Sequence, residues 1–204
     1  HTPPLQVTYQ NDGTQMIPDN CTLCPLHKER TNIVIGTGDL HAAIMFVGEA
    51  PGEQEDLKGE PFVGPAGKLL DKLLHKAGLK RKDVFITNVV KCRPPGNREP
   101  TPEEIHMCSP FLRKQIQAIQ PRVLVTLGRV ATQRLTFQFG AMGDLLSNPN
   151  LTYTYREDAP IPVLALYHPS YLLRQGAALR GKAKPLFLDA VARLKRATEY
   201  QQVG

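Results

Sequence analysis

Short apolar runs alternate along the chain with longer stretches whose apolar residues recur at helical spacing. The apolar runs stand at residues 42–47, 84–90, 122–127 and 163–167. The helical stretches stand at residues 66–77, 102–120, 129–137 and 185–200. Runs that are apolar almost throughout are typical of strands covered on both faces. The alternation therefore predicts an α/β fold, a three-layer α/β/α sandwich around a central four-stranded parallel sheet.

Composition narrows the class of protein without fixing its function. The chain has 204 residues, of which 41% are hydrophobic, and this is enough for one buried core. We expect residues 17–204 to form a single domain, and the polar residues 1–16 to be a disordered tail or an expression remnant. The net charge of +6 permits a nucleic-acid partner but does not require one. No membrane-spanning run or secretion signal is evident, so a soluble, cytoplasmic protein without a membrane partner is expected.

Residues 45–71 read "MFVGEAPGEQEDLKGEPFVGPAGKLLD" and place a glycine-rich loop directly after the first predicted strand. The loop does not match a Walker A motif, because Leu69 follows Gly67 and Lys68 where Ser or Thr is needed. Four of its acids, at positions 49, 53, 55 and 56, would repel a phosphate. Gly48 instead lets the backbone approach a flat, uncharged ligand, and Phe62 is either a stacking ring for that ligand or a core residue.

Four cysteines form the second group of candidate functional residues. They are Cys21 and Cys24, spaced as C-x-x-C, then Cys92 and Cys108. Four thiolates suit tetrahedral zinc or an iron-sulfur cluster equally well, and their spacing does not choose between the two. Two disulfides, or ordinary burial of Cys92 and Cys108, are the alternatives.

The stretch "LYHPSYLLRQGAALRGKAKP" at residues 166–185 adds a histidine, two leucines and a run of cations without an acid. His168 follows a predicted strand, which is where α/β enzymes place catalytic groups. The cations are typical of a phosphate-contacting edge. Leu172 and Leu173 are either packing residues at the start of a helix or an apolar wedge that enters a base stack. A wedge, a stacking ring and the strand-end Asn88 are what an enzyme needs to flip out a nucleotide.

Several long motifs in register resemble the family 4 uracil-DNA glycosylases, the iron-sulfur class of the uracil-DNA glycosylase superfamily. They are "CTLC", "GEAPGEQEDLKGEPFVGPAGKLLD", "TNVVKCRPPGNREPTPEE", Cys108 and "HPSYLLR", in the family's order. The resemblance implies a monofunctional enzyme that excises uracil from single- and double-stranded DNA and leaves an abasic site. It further implies a monomer, with replication or repair proteins as partners. It also implies that the four cysteines hold a structural 4Fe-4S cluster.

The resemblance also assigns roles to residues of the predicted pocket. Phe62 would stack on the flipped uracil, and the Asn88 amide would pair with its edge. His168 would hydrogen-bond uracil O2 as negative charge develops on the leaving base. Leu172, followed by Leu173 and Arg174, would enter the minor groove.

One position of the glycine-rich loop departs from the best-known branch of the superfamily. Ala50, beside Gly48, stands where that branch has an Asp that positions the attacking water. Glu49 is the first candidate for positioning the water or stabilising the sugar cation, and Glu55 is the second.

Two other functions remain alternatives. The first is a relative that traps uracil-DNA covalently through a histidine on an inserted loop, but "KCRPPGNREP" at residues 91–100 contains no such insertion. The second is a non-catalytic iron-sulfur module that binds DNA, which would not need the whole predicted pocket.

Overall fold

A computed structural model describes residue 17 and residues 20–154, 159–178 and 183–202. The predicted tail, residues 1–16, lies outside the described residues. The strands are β1 (Thr37–Gly38), β2 (Ile44–Gly48), β3 (Phe85–Asn88), β4 (Val123–Leu127), β5 (Thr152–Tyr153) and β6 (Ile161–Leu166). The α-helices are α1 (Glu53–Lys58), α2 (Pro65–Lys76), α3 (Pro102–Ile119), α4 (Arg129–Thr136), α5 (Met142–Ser147), α6 (Pro169–Ala178) and α7 (Ala183–Thr198).

The strands form one mixed sheet in the order β1-β3-β2-β4-β6-β5. The four central strands are parallel, and all residues of β2, β3 and β4 are buried. These four are the strands that the apolar runs predict, so the prediction is confirmed. The antiparallel edge strands β1 and β5 have two residues each, too few for a hydrophobic pattern to develop.

Helices cover both faces of the sheet, which confirms the three-layer arrangement. Along β2, Met45 and Val47 pack into one core with α3, α4 and α5, whereas Ile44 and Phe46 pack into the other with α2, α6 and α7. This alternation is the two-residue period of a strand whose faces are both covered. No helix in the described part of the chain is long and apolar enough to cross a bilayer.

Three helices lie outside the predicted helical stretches: α6 and the two short helices α1 and α5. Residues 140–150 have the Gly, Asn and Pro content of a loop, but Met142–Ser147 form α5, with Leu145 buried in the core. The acid-rich part of the glycine loop likewise forms α1, which ends at Gly59 in the left-handed conformation. Both helices have six residues, so a helical period cannot be recognised in their sequences.

Candidate active site

A cavity of about 530 Å³ opens where the central parallel strands end. The turns after β2, β3, β4 and β6 contribute to it, because parallel strands place their carboxyl ends at the same edge of the sheet. The predicted site residues that line it are Glu49, Ala50, Glu55, Phe62, Asn88, His168 and Arg174. Segments far apart in the sequence therefore meet at one site, as the sequence predicts.

Gly48, the last residue of β2, leaves no room for a side chain beneath this cavity. A Cβ built on Gly48 would lie 2.6 Å from the Phe62 ring and closer still to Asn88 Oδ1. Any larger residue at position 48 would displace Phe62, Asn88 or both. Gly48 therefore lets two candidate binding residues approach each other over the end of the strand.

Asn88 ends β3 with its side chain buried to 1% exposure. Its Oδ1 is the single buried side-chain oxygen or nitrogen among the described residues that has no hydrogen-bond partner. An unpaired buried acceptor costs about 1–3 kcal/mol. Such a group in a cavity wall is typical of a site whose ligand brings the missing donor.

Phe62 forms a wall of the cavity although it is only 6% exposed. It packs into the core with α2 and also faces the cavity, so the two interpretations of its role are compatible. Its backbone is left-handed, with φ of 51°. Its ring centroid lies 5.7 Å from that of His168, with the planes tilted by 33°.

His168 follows β6 and has one ring nitrogen fixed by its own turn. Desolvation, followed by the nearby Arg174, lowers the His168 pKa to about 4, so the ring is neutral at pH 7. The Ser170 backbone N–H donates to His168 Nδ1 at 3.1 Å, and the Ser170 hydroxyl lies 2.7 Å from the same atom. Because a backbone N–H can only donate, Nδ1 is an acceptor and the ring proton is on Nε2. The turn therefore holds His168 as a neutral ring whose Nε2–H is available to donate a hydrogen bond.

The two candidate acids have different surroundings. Both oxygens of Glu55 are engaged by backbone N–H groups, those of Gly52 at 3.1 Å, Val63 at 2.9 Å and Gly64 at 2.7 Å. Among the described residues, none donates a hydrogen bond to the Glu49 carboxylate. Burial raises the Glu49 pKa, as does the neighbouring Glu99, whereas Arg129 lowers it. Glu49 is therefore the acid that is available to a ligand.

The two leucines of the predicted wedge lie on different sides of helix α6, one buried and one exposed. Leu172 is 5% exposed and packs into the core with α2 and α7, whereas Leu173 is 39% exposed. The prediction that the Leu172 side chain is presented to DNA is therefore wrong for this structure, because that side chain is part of the core; Leu173 is the exposed leucine of the pair. Of the cations predicted to contact phosphate, Arg174 lines the cavity, and Arg180 and Lys182 lie outside the described residues.

Arg98 and Arg129 also line the cavity, and the sequence interpretation missed both. Arg129 begins α4 directly after β4 and pairs with Glu99 at 3.1 Å, with both side chains about half exposed. Arg98 pairs with the buried Glu104 at 2.7 Å. Arg129 lies one residue beyond Gly128 at the end of a predicted strand, but nothing in the sequence shows that its side chain faces the cavity.

The four cysteines line a second cavity, together with Arg30 and Lys91. None of them forms a disulfide. Arg30 donates to the Cys21 carbonyl at 2.7 Å and contacts Cys92 Sγ at 3.6 Å. Burial raises the pKa of Cys92 to about 12, so this thiol becomes a thiolate at pH 7 only when a cation binds it. As it stands, the described chain holds no three potential ligands close enough together to bind a single metal ion.

Comparisons with known proteins agree with this fold and site. A family model described as the uracil DNA glycosylase superfamily matches residues 35–195. A type-4 uracil-DNA glycosylase of Archaeoglobus fulgidus is 50% identical over 156 residues, which cover 76% of this chain and 78% of the relative. A type-4 uracil-DNA glycosylase of Thermotoga maritima is 49% identical over 160 residues, which cover 76% of this chain and 78% of the relative. One of Pyrobaculum aerophilum is 45% identical over 165 residues, which cover 80% of this chain and 84% of the relative.

The family model covers most of the chain, and these relatives are aligned over more than three quarters of it. The chain belongs to the uracil DNA glycosylase superfamily, as a member of its type-4 family. The family predicted from the motifs is therefore confirmed.

Proposed function

We propose that this protein is a monofunctional DNA glycosylase that flips uracil out of DNA and hydrolyses its N-glycosidic bond, leaving an abasic site. The observation that carries the proposal is the unpaired Oδ1 of buried Asn88, in the same cavity as a neutral His168. The type-4 relatives are uracil-DNA glycosylases by name.

Asn88 supplies the base recognition. Its amide can accept a hydrogen bond from uracil N3–H through Oδ1 and donate one to O4 through the NH₂ group. Cytosine presents the reverse pattern, so buried polar atoms of protein and base would be left unpaired. Phe62 closes one face of the site and stacks on the base.

His168 stabilises the leaving base. Negative charge develops on uracil O2 as the N-glycosidic bond breaks, and the Nε2–H of His168 donates to that oxygen. A donor fixed in advance by Ser170 does not have to reorient during the reaction, which is the logic of an oxyanion hole. The neutral ring keeps its donor without placing a proton on the base.

Glu49 stabilises the sugar. Bond cleavage leaves an oxocarbenium-like cation, and an ionised carboxylate beside it lowers the free energy of the transition state. Glu49 can also orient the attacking water, because its oxygens are not engaged as those of Glu55 are. Ala50 lines the same cavity but has no group that could do this.

Residues near the mouth of the cavity bind the DNA. Exposed Leu173 is the wedge that fills the space left by the flipped base, and Arg174 contacts the backbone. Both single- and double-stranded DNA fit this arrangement. A monomeric state, a cytoplasmic location and recruitment by replication or repair proteins remain predictions.

The four cysteines fit an iron-sulfur cluster better than isolated buried thiols. They come from two distant segments, line one cavity, form no disulfide and lie beside the Arg30 guanidinium. Soft thiolates with a neighbouring cation suit a 4Fe-4S cluster, whose charge with four thiolates is negative. When bound, the cluster is structural, because it cross-links residues 21–24 to the segment that follows β3.

One assay tests the enzyme. The protein is incubated with an oligonucleotide that contains a single uracil, and half of the sample is then heated in alkali. We expect strand breakage only after alkali, and none when thymine replaces uracil. No breakage above background by protein that retains its visible iron-sulfur absorbance would reject the proposal in favour of a non-catalytic binder, and breakage before alkali would indicate a lyase.

A further inference from the structure

The loop that presents Phe62 to the cavity has an unfavourable backbone conformation. Phe62 has φ of 51°, a region that glycine adopts freely and a bulky side chain does not. Its ring is buried and lines the cavity, so a glycine at position 62 would remove the aromatic wall of the cavity. Contacts outside the residue must therefore hold this conformation.

Arg81 holds the carbonyl side of this turn from another segment of the chain. It lies in the 3₁₀ turn Arg81–Asp83 that precedes β3. Its guanidinium donates through Nη1 to the Phe62 carbonyl and through Nη2 to the Pro61 carbonyl, both at 2.7 Å. Asp71 on α2 accepts from the same Nη1 at 3.0 Å and so orients the guanidinium. Two successive carbonyls on one planar fork fix the orientation of the peptides on both sides of the Phe62 Cα.

Two other contacts complete the turn. Glu55 accepts from the N–H groups of Val63 and Gly64, which follow Phe62 directly. Gly67 lets the first turn of α2 pass against the Phe62 backbone, because a Cβ there would lie 1.9 Å from the Phe62 carbonyl oxygen. The Arg81 guanidinium thus binds the carbonyl groups of this turn, and the Glu55 carboxylate binds its N–H groups. Together they hold Phe62 in its left-handed conformation.

We propose that Arg81 is a positioning residue for uracil recognition, acting through the Phe62 ring without touching the substrate. Arg81 is not among the residues that line the cavity, and its contacts with the pocket loop are to backbone carbonyls. The inference deepens the proposed function and rests on it for its kinetic consequence. The structural part, that Arg81 holds the turn, stands on the contacts alone.

A double-mutant cycle separates positioning from a general effect on the fold. Arg81→Met, Phe62→Ala and the double variant are compared with the wild type for kcat/KM on a uracil oligonucleotide. We expect Arg81→Met to lower kcat/KM by about tenfold or more, and Arg81→Lys to restore little because an ammonium lacks the rigid planar fork that fits two successive carbonyls. In the Phe62→Ala background the same change should cost less than about twofold, because the ring on which Arg81 acts is gone. Equal losses in both backgrounds, or wild-type activity of Arg81→Met, would overturn the proposal.

Arg193 provides a matched control. It too donates to a backbone carbonyl, that of Leu146 at 2.8 Å, and pairs with an aspartate, Asp189 at 2.8 Å, but it lies on α7 away from the cavity. Arg193→Met should lower thermal stability as much as Arg81→Met does while leaving kcat/KM unchanged. A similar loss of activity in Arg193→Met would show that the kinetic effect is general.

Amide hydrogen exchange tests the turn without using the activity. Peptides that span residues 61–67 should exchange faster in Arg81→Met than in the wild type, and should be unchanged in Arg193→Met. Unchanged exchange in Arg81→Met would overturn the proposal whatever the kinetics show. If the wild type excised no uracil but Arg81→Met still loosened these peptides, the proposed function would fail and the positioning of Phe62 would stand.

Discussion

Asn88 keeps an unpaired acceptor buried, and the free energy that this costs the empty protein is recovered when a donor arrives. Asn88→Asp keeps the shape of the side chain but removes the NH₂ donor and favours a base that presents a donor instead. We expect the ratio of kcat/KM for uracil over cytosine to fall by at least about a hundredfold. Oligonucleotides that differ only in the target base measure this ratio.

Asn150 offers a control for that substitution, because it is exposed in a loop and does not line the cavity. Asn150→Asp should leave the selectivity unaltered. A wild-type ratio in Asn88→Asp would remove Asn88 from the recognition of the base.

The proposed role of Glu49 leads to a prediction about the pH dependence of the reaction. Burial and the Glu99 charge raise the Glu49 pKa above its ordinary value of 4.5, and in the proposed mechanism the ionised carboxylate stabilises the sugar cation. Activity should therefore be lost as pH falls through this raised pKa. Glu99→Gln removes a negative charge and releases Arg129 from its ion pair, and both changes lower the Glu49 pKa. We expect the acid limb of the kcat/KM profile to move to lower pH.

The exposed Glu103 is the control for Glu99, since it lies on the first turn of α3 and does not line the cavity. Glu103→Gln should leave the acid limb in place. An acid limb that stays where it is in Glu99→Gln would mean that a group other than Glu49 controls the reaction at low pH.

At the scale of elements, α6 places one of two adjacent leucines in the core and the other at the surface. Leu173→Ala shortens the proposed wedge, so excision from duplex DNA should fall about tenfold while excision from single strands changes little. Leu172→Ala instead leaves a cavity in the core and should lower the free energy of unfolding by about 2–5 kcal/mol. Excision from both substrates and thermal unfolding distinguish the two. A selective loss on duplex DNA in Leu172→Ala, with Leu173→Ala unaffected, would reverse the assignment.

The central strands and α6 show which parts of the structure can be predicted from the sequence and which cannot. Apolar runs located the four central strands, because a strand covered on both faces is apolar throughout, and strand ends then located the cavity. The rotation of α6 about its axis could not be predicted, since either of two adjacent leucines could have occupied the buried face of the helix. Arg81 was also missed, because its partners are backbone carbonyls at residues 61 and 62, and backbone contacts leave no mark in the sequence.

Across the whole molecule, two separate groups of hydrogen bonds lead from the cysteine-bearing segments to the elements that line the active-site cavity. Buried Lys91 precedes Cys92 and donates to the Asn88 carbonyl at 2.7 Å and to Gln115 at 2.7 Å. On the other side, Asp56 of α1 accepts from the N–H groups of Thr31 and Asn32, in the segment that follows the first two cysteines. Loosening the cysteine cavity should therefore loosen both β3 and the glycine loop at the pocket.

Removal of the proposed iron-sulfur cluster tests this connection. Oxidation followed by chelation should lower the midpoint of thermal unfolding by more than about 4 °C, which at this chain length corresponds to about 1–2 kcal/mol. The rate of uracil excision at lower temperature should fall as well, because Asn88 and Glu49 lose support while the sheet remains folded. Cys108→Ser already lacks one thiolate, so the same treatment should change its unfolding midpoint much less. An iron-depleted wild type with an unchanged midpoint and rate would show that the pocket is held without the cluster, by hydrogen bonds such as those of Lys91 and Asp56.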